Sequence, residues 1–209
     1  MTLQEINIDK LPIVIISDCH CKLENLQKVK SLYPHYKIIS LGDNCDLYAR
    51  NSNSNQLIIQ WLIDNNIQST SGNHEEHISG VVNGTTIMFL DNHNNIDINY
   101  YNIPQHQCEW LKELPRGFKL NLPDGKYYLL YHHLPLDVWS FKDQGKLTKQ
   151  EFIDAYKFDD NCLSVIHGHL HLNFMEEFPN LSTTRISLGA LKFGWYAIIN
   201  EDGVNLNQL

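Results

Sequence analysis

A chain of 209 residues with 43% hydrophobic and 11% aromatic side chains carries enough apolar material for a globular core, which excludes a disordered or fibrous chain. Its 16 basic and 24 acidic side chains leave a formal charge of -8, which excludes a broad electrostatic footprint for a nucleic-acid backbone. A phosphate-handling protein of this composition needs positive charge from elsewhere, and bound metal would supply it.

The first element is the apolar, β-branched run Leu11 to Ile16, the composition of a strand covered on both faces. It is far shorter than the ~20 residues that cross a bilayer. Acidic residues precede it, so no export or membrane-anchor signal is expected. Leu23, Leu26, Val29 and Leu32 then recur at helical spacing, and Lys37 to Leu41 reads as a second buried strand, giving a β-α-β opening. Gln56 to Ile63 is expected to form a helix with Leu57, Ile58, Trp61 and Leu62 on one side, followed by an extended stretch from Ile67 to Ser71.

Thr85 to Leu90 and Asp97 to Tyr101 read as strands, and Pro104 opens a helix striped by Trp110, Leu111 and Leu114. Pro123-Asp-Gly-Lys126 reads as a turn into a strand at Tyr127 to Tyr131. Thr148 and Glu151 have capping-box spacing at the head of a helix that carries Phe152, Ile153 and Tyr156. Strands are expected at Leu163 to Ile166, Arg185 to Leu188 and Trp195 to Ile199, and the Asn-rich stretches Asn51 to Asn55 and Asp91 to Asn99 read as surface loops. An α/β half followed by a β-rich half predicts one domain over residues 1–209, built as two packed sheets flanked by helices.

Polar groups collect where these strands end. Asp18-Cys-His20 follows the first strand, and period-two alternation would turn Asp18 and His20 the same way. Gly42-Asp43 follows the second, and Gly72-Asn73-His74-Glu75 the third apolar stretch. His132-His133-Leu-Pro135 and Gly168-His169-Leu-His171 follow two later strands. Any one of these is weak evidence, since such triplets arise by chance. Five in a row at strand ends, where open α/β sheets bind ligands, point to a metal site. The five cysteines lack paired spacing and outline no disulfide framework, which suits the cytoplasm. Cys19 and Cys21 should turn away from His20 as small packing residues.

The series Asp-x-His, Gly-Asp, Gly-Asn-His-Glu, His and Gly-His-x-His, in that order from Asp18 to His171, is similar to the calcineurin-like metallophosphoesterase superfamily. The resemblance implies an α/β/β/α sandwich, four layers with two mixed sheets inside. It also implies two divalent metal ions. Asp18, His20 and His171 would hold one ion, and Asn73, His169 and one of the adjacent histidines the other, with Asp43 bridging. His133 is preferred to His132 because His133-Leu-Pro135 with Trp139 downstream fits the family's His-x-Pro pattern better. His74 would protonate the leaving group, and Asp46, three residues beyond Asp43, would orient His74.

Two ions held by mixed carboxylate, imidazole and amide groups lower the pKa of a bridging water and neutralise phosphoryl oxygens, so hydroxide attack on a phosphoester is the implied reaction. The ligand mix suits Mn first, with Fe, Co, Ni and Zn compatible. The chain departs from its relatives at two points: Asp46-Leu47-Tyr48 stands where protein phosphatases have Asp-Arg-Gly, and Cys21 replaces the glycine of Asp-x-His-Gly. Of the three arginines, Arg50 and Arg185 fall on no motif but are candidates to reach the site. The expected substrate is a phosphomonoester or small phosphodiester, on a small molecule or a peptide. The alternatives are a Mn-dependent nuclease, disfavoured by the acidic charge, and a silent binding scaffold, disfavoured by the complete ligand set.

Overall fold

The structure is a computed structural model and describes residues 3–49, 53–82, 103–133 and 148–209. The expected strands at Thr85 to Leu90 and Asp97 to Tyr101, the loop at Asp91 to Asn99, and the contextual Trp139 lie outside the described residues.

Two mixed sheets stack face to face, as expected. The first runs in the order β11 (Gly203–Gln208), β10 (Trp195–Asn200), β2 (Ile13–Ile16), β3 (Lys37–Ser40), β4 (Gln68–Ser69). Its β2, β3 and β4 are parallel, and β10 is antiparallel to both of its neighbours. The second runs β1 (Gln4–Asn7), β5 (Gly117–Asn121), β6 (Tyr127–Tyr131), β7 (Cys162–His167), β9 (Thr184–Leu188), β8 (Asn173–Glu176), with β6, β7 and β9 parallel.

β2 shows why the layers form. All four of its residues are buried, and alternation sends Ile13 and Ile15 into the core between the sheets while Val14 and Ile16 face the helices. The inter-sheet core adds Phe118, Leu120, Leu130, Ile166 and Ile186 from the second sheet. On the other face of the first sheet, Leu26 and Val29 of α1 (Leu23–Leu32), Ile58, Ile59 and Leu62 of α2 (Ser54–Asp64), Ile78 of α3 (Asn73–Val82) and Leu111 of α4 (Gln105–Glu113) close a second core. The outer face of the second sheet is covered by α5 (Lys149–Tyr156), through Phe152, Ala155 and Tyr156 against Leu129, Tyr131 and Val165. The capping box of α5 is formed: Thr148 accepts from the Glu151 amide while the Glu151 carboxylate takes the Thr148 amide.

The buried face of α2 is rotated from expectation. Ile58, Ile59 and Leu62 are buried, Leu57 is 57% exposed, and Asn55, expected in a surface loop, lies inside the helix and is buried. The rotation follows from what Asn55 holds. Its carboxamide accepts the Asp46 amide at 2.8 Å and donates to the Asp46 carbonyl at 3.0 Å, fixing the helix start against the loop after β3.

Two elements next to the site go beyond those expected. β5 is a short alternation, with Phe118 and Leu120 buried and Lys119 and Asn121 half-buried, and α3 begins inside the Gly72-Asn73-His74-Glu75 motif, so that motif is a strand-to-helix turn. Among the described residues no helix is long and apolar enough to cross a membrane.

Candidate metal centre

Because β2, β3 and β4 run parallel in one sheet and β6 and β7 run parallel in the other, their C-terminal ends deliver the five polar motifs to one edge of the sandwich. Strand alternation does not orient them. Asp18 (φ 55), His20 (φ 44), Cys21 (φ 61), Asp43 (φ 50), His169 (φ 68) and His171 (φ 56) all lie in the left-handed region, beyond the strand ends. Non-glycine residues held there cost of order 1–3 kcal/mol each and persist only where their surroundings over-determine them.

The over-determination is visible in the backbone. The amides of Asp18, His20 and Cys21 donate to the carbonyls of Gly42 (2.9 Å), Asp43 (3.0 Å) and Asn44 (2.8 Å), zipping the first two motif loops together. Glu75, for which the sequence suggested no role, staples the second loop to the third. It is wholly buried, and its carboxylate accepts the amides of Asp43 at 2.7 Å, Gly72 at 2.9 Å and Cys45 at 2.9 Å. Burial raises its pKa, with the Asp43 charge adding to the rise. Gly42 (φ +93) packs on Gly72, and a Cβ at Gly72 would fall on the Asp43 carboxylate, so both must be glycine.

Among the described residues the side chains form three groups, the third being His20, Asp46 and His74, and the first two adjoin. In the first, His171 Nε2 is 3.1 Å from Asp18 Oδ1 and 2.9 Å from His20 Nε2. In the second, His132 Nε2 is 3.2 Å from Asp43 Oδ2 and 3.0 Å from Asn73 Oδ1, which is also 2.9 Å from His169 Nδ1. Thus Asp18, His20, Asp43, Asn73, His169 and His171 are brought together.

Of the adjacent histidines, His133 was the expected one, and it is the His132 ring that lies in the second group. β6 ends at Tyr131, and the next residue puts its ring inward, where Nδ1 donates to the Leu41 carbonyl at 3.0 Å and Nε2 faces Asp43 and Asn73. The His133 ring flanks the group instead, with its centroid 6.0 Å from that of His169.

Asp46 also departs from expectation. The atom on His74 Nδ1 is the Leu47 amide, at 3.1 Å, while the Asp46 carboxylate accepts the Tyr48 amide at 2.9 Å. The turn supplies a backbone donor where a carboxylate was expected, although Asp46 stays close to His20 and His74. Cys21 turns away as expected, donating through Sγ to Asn55 Oδ1 at 3.0 Å. Arg185 does not reach the site. It is buried on the second sheet, with Nε on His167 Nε2 at 3.1 Å and Nη1 on Glu176 at 3.0 Å. Arg50 lies outside the described residues.

The donor set fits cations. His132 uses Nδ1–H on a backbone carbonyl, which turns Nε2 toward the Asp43 and Asn73 oxygens, where a proton supplies the positive charge in the metal-free chain and a cation would supply it in a loaded one, while two imidazole nitrogens and a carboxylate oxygen converge in the first group. Lone pairs at contact distance repel unless positive charge sits among them, and a histidine whose other nitrogen bonds a backbone carbonyl is the usual form of a metal ligand.

The titration behaviour has the same cause. Burial works against a charged His132, yet Asp43, Asp18 and Glu75 carry its pKa up to about 9. Burial would raise the carboxylates, but His171 and His132 hold Asp18 low, and His132 and His74 hold Asp43 low. Burial, helped by neighbouring histidines, lowers His20 and His169 to about 4, which keeps both neutral and able to ligate near pH 7.

Comparison with known proteins agrees with this geometry. The profile of the calcineurin-like phosphoesterase family matches residues 11–173. No curated protein compared with the chain matches it. Among solved structures, a metallophosphoesterase from Sphaerobacter thermophilus is 21% identical, with 96% of this chain and 89% of that one covered at a TM-score of 0.64. An archaeal phosphodiesterase is 18% identical (95% and 100% covered, TM-score 0.54), and the Yfce phosphoesterase from E. coli is 14% identical (93% and 91%, TM-score 0.51). At these identities the likeness is one of fold, whereas the profile spans most of the chain, every strand-end motif included. The chain therefore belongs to the calcineurin-like phosphoesterase family, metal-dependent hydrolases of phosphoesters.

Proposed function

We propose that the chain hydrolyses a phosphomonoester or small phosphodiester with two divalent ions. The first would be held by Asp18, His20 and His171, and the second by Asn73, His132 and His169, with Asp43 between them. The observation that carries this reading is the pair of adjoining groups in which imidazole nitrogens and carboxylate or amide oxygens converge within contact distance. When bound, such ions supply Lewis-acid charge against phosphoryl oxygens and make water acidic enough to furnish hydroxide near neutral pH. Manganese is the first choice, with Fe, Co, Ni and Zn compatible with the same donors. Five free cysteines suit a reducing compartment, so the cytoplasm is the proposed location.

The chain's own residues organise the rest. The Leu47 amide donates to His74 Nδ1, so the ring hydrogen sits on Nε2, which lies 3.7 Å from Asp43 Oδ2 at the edge of the cluster. His74 is thereby set to donate a hydrogen bond from Nε2–H to the departing oxygen and stabilise the charge that develops there. Buried Glu75 keeps the Asp43 and His74 loops in register.

The test loads the protein with Mn, Ni and Zn in turn and screens phosphomonoesters, bis-aryl phosphodiesters, cyclic nucleotides and phosphopeptides, with metal content read by elemental analysis. The expected result is two metal equivalents and turnover of a monoester or small diester. Asp43→Asn is expected to lose metal and to lower activity by more than the ~100-fold typical of a disturbed outer-shell partner. Full occupancy and full activity in Asp43→Asn would falsify the reading.

A further inference from the structure

The phosphate-directed arginine that Asp46-Leu47-Tyr48 lacks is not replaced by Arg116, whose Nε pairs with Glu76 at 3.3 Å, nor by the buried Arg185. A different cation borders the centre. The 3-10 turn Leu191–Phe193 is clamped directly onto the first motif: the Leu191 amide donates to the Ser17 carbonyl at 2.8 Å, and the Lys192 amide to the Asp18 carbonyl at 3.2 Å. Asn25 Nδ2 on α1 donates to the Leu191 carbonyl at 2.8 Å, and Leu191 itself is buried in the helix-side core. The turn closes at Gly194, in the left-handed region.

This anchoring leaves two side chains at the rim. Phe193 is 60% exposed, yet its ring centroid is 6.4 Å from that of His171. Lys192 Nζ lies 5.2 Å from the Phe193 ring, and among the described residues no carboxylate pairs with it. A large exposed aromatic on a backbone-anchored turn loses little entropy on binding a planar group, and the adjacent ammonium can take a phosphoryl oxygen.

We propose that Lys192 and Phe193 form the substrate-recognition rim of the metal centre, Lys192 gripping the phosphoryl group and Phe193 stacking a planar ring borne on it, so that the preferred substrates are aryl or nucleoside phosphoesters. This rests on the phosphoesterase reading above. Phosphoserine and phosphothreonine peptides and simple alkyl phosphoesters offer no ring at that distance and gain only from Lys192.

Phenylphosphonate and methylphosphonate share an anionic head and differ by the ring, so their binding to the metal-loaded protein, read by calorimetry, separates the two contacts. Wild type is expected to favour phenylphosphonate by roughly fivefold, the scale of one aromatic contact, and Phe193→Ala to erase that preference while Phe193→Trp keeps it. Lys192→Gln is expected to weaken both phosphonates by about tenfold, the scale of a charge-assisted hydrogen bond, with Lys192→Arg restoring most of it. Metal content should be unchanged in all four variants, and kcat/KM for phenyl phosphate over methyl phosphate should follow the binding.

A phenyl preference that survives Phe193→Ala, or unchanged affinity in Lys192→Gln, overturns the rim assignment while leaving the phosphoesterase reading intact. A wild-type protein that binds neither phosphonate and turns over no phosphoester overturns both.

Discussion

The two halves of the metal centre are built differently. Around Asp43, Asn73, His132 and His169 the surroundings are knotted: His132 Nδ1 is spent on a backbone carbonyl, and Glu75 fastens the loops that carry Asp43 and His74. Around Asp18, His20 and His171 the neighbour is the Leu191–Phe193 turn: the His171 side chain is 29% exposed, and its ring lies 6.4 Å from that of Phe193. Burial does not separate the halves, since each joins two buried residues to a half-buried histidine. What differs is the fastening behind the Asp43 half and the turn that borders the Asp18 half.

The largest expected effect falls on the Asp43 half. His132→Ala should remove one metal equivalent and lower turnover by well over the ~100-fold of an outer-shell change, whereas His133→Ala should leave metal stoichiometry at the wild-type value. Elemental analysis of the two variants decides it. The opposite pattern would restore His133 and undo the comparison.

Glu75→Ala tests the knot. It orphans three buried amides, those of Asp43, Gly72 and Cys45, and leaving buried donors unpaired costs roughly 1–3 kcal/mol each. Partial rescue by water would bring the total to about 3 kcal/mol, read as a lower urea midpoint of the metal-free chain. A midpoint within error of wild type would show that the loops hold themselves.

The smallest effect is one of pH, in the metal-free chain. His132 is raised from 6.5 to about 9, so the folded state holds the extra proton across that range and stability declines as pH rises through it. His20 and His169 are lowered from 6.5 to about 4, so below 6.5 the unfolded state takes up more protons and stability declines as pH falls. Urea midpoints should therefore peak near pH 6.5, and His132→Gln should flatten the alkaline limb alone. A midpoint that keeps rising from pH 6.5 to 9 contradicts the charge balance assigned to the Asp43 half.

Much of the fold was legible because burial leaves a compositional trace. The unbroken run Ile13–Ile16 reads as a strand covered on both faces, and Thr148 with Glu151 marks a helix start. α3 was hidden because its first turn consists of motif residues, which read as chemistry rather than as helix. The α2 stripe was misplaced by its start: Asn55 looks like loop composition, yet it is committed to the Asp46 backbone, and that contact turns Leu57 outward.

The same division runs through the site. Sequence alone determined which residue types arrive at consecutive strand ends, because parallel strands bring their C-terminal ends to one edge whatever the loops do. It could not determine which atom of which neighbour faces the cluster. His132 and His133 differ by one position at the end of β6, and which ring turns inward is set by the Leu41 carbonyl, ninety-one residues away. Likewise the Leu47 amide took the contact on His74 expected of Asp46, Glu75 emerged as the fastener between loops, and the Lys192 amide came to rest on the carbonyl of Asp18, the first motif residue. These are long-range hydrogen bonds made by backbone groups that every residue carries, so only the folded chain could decide them.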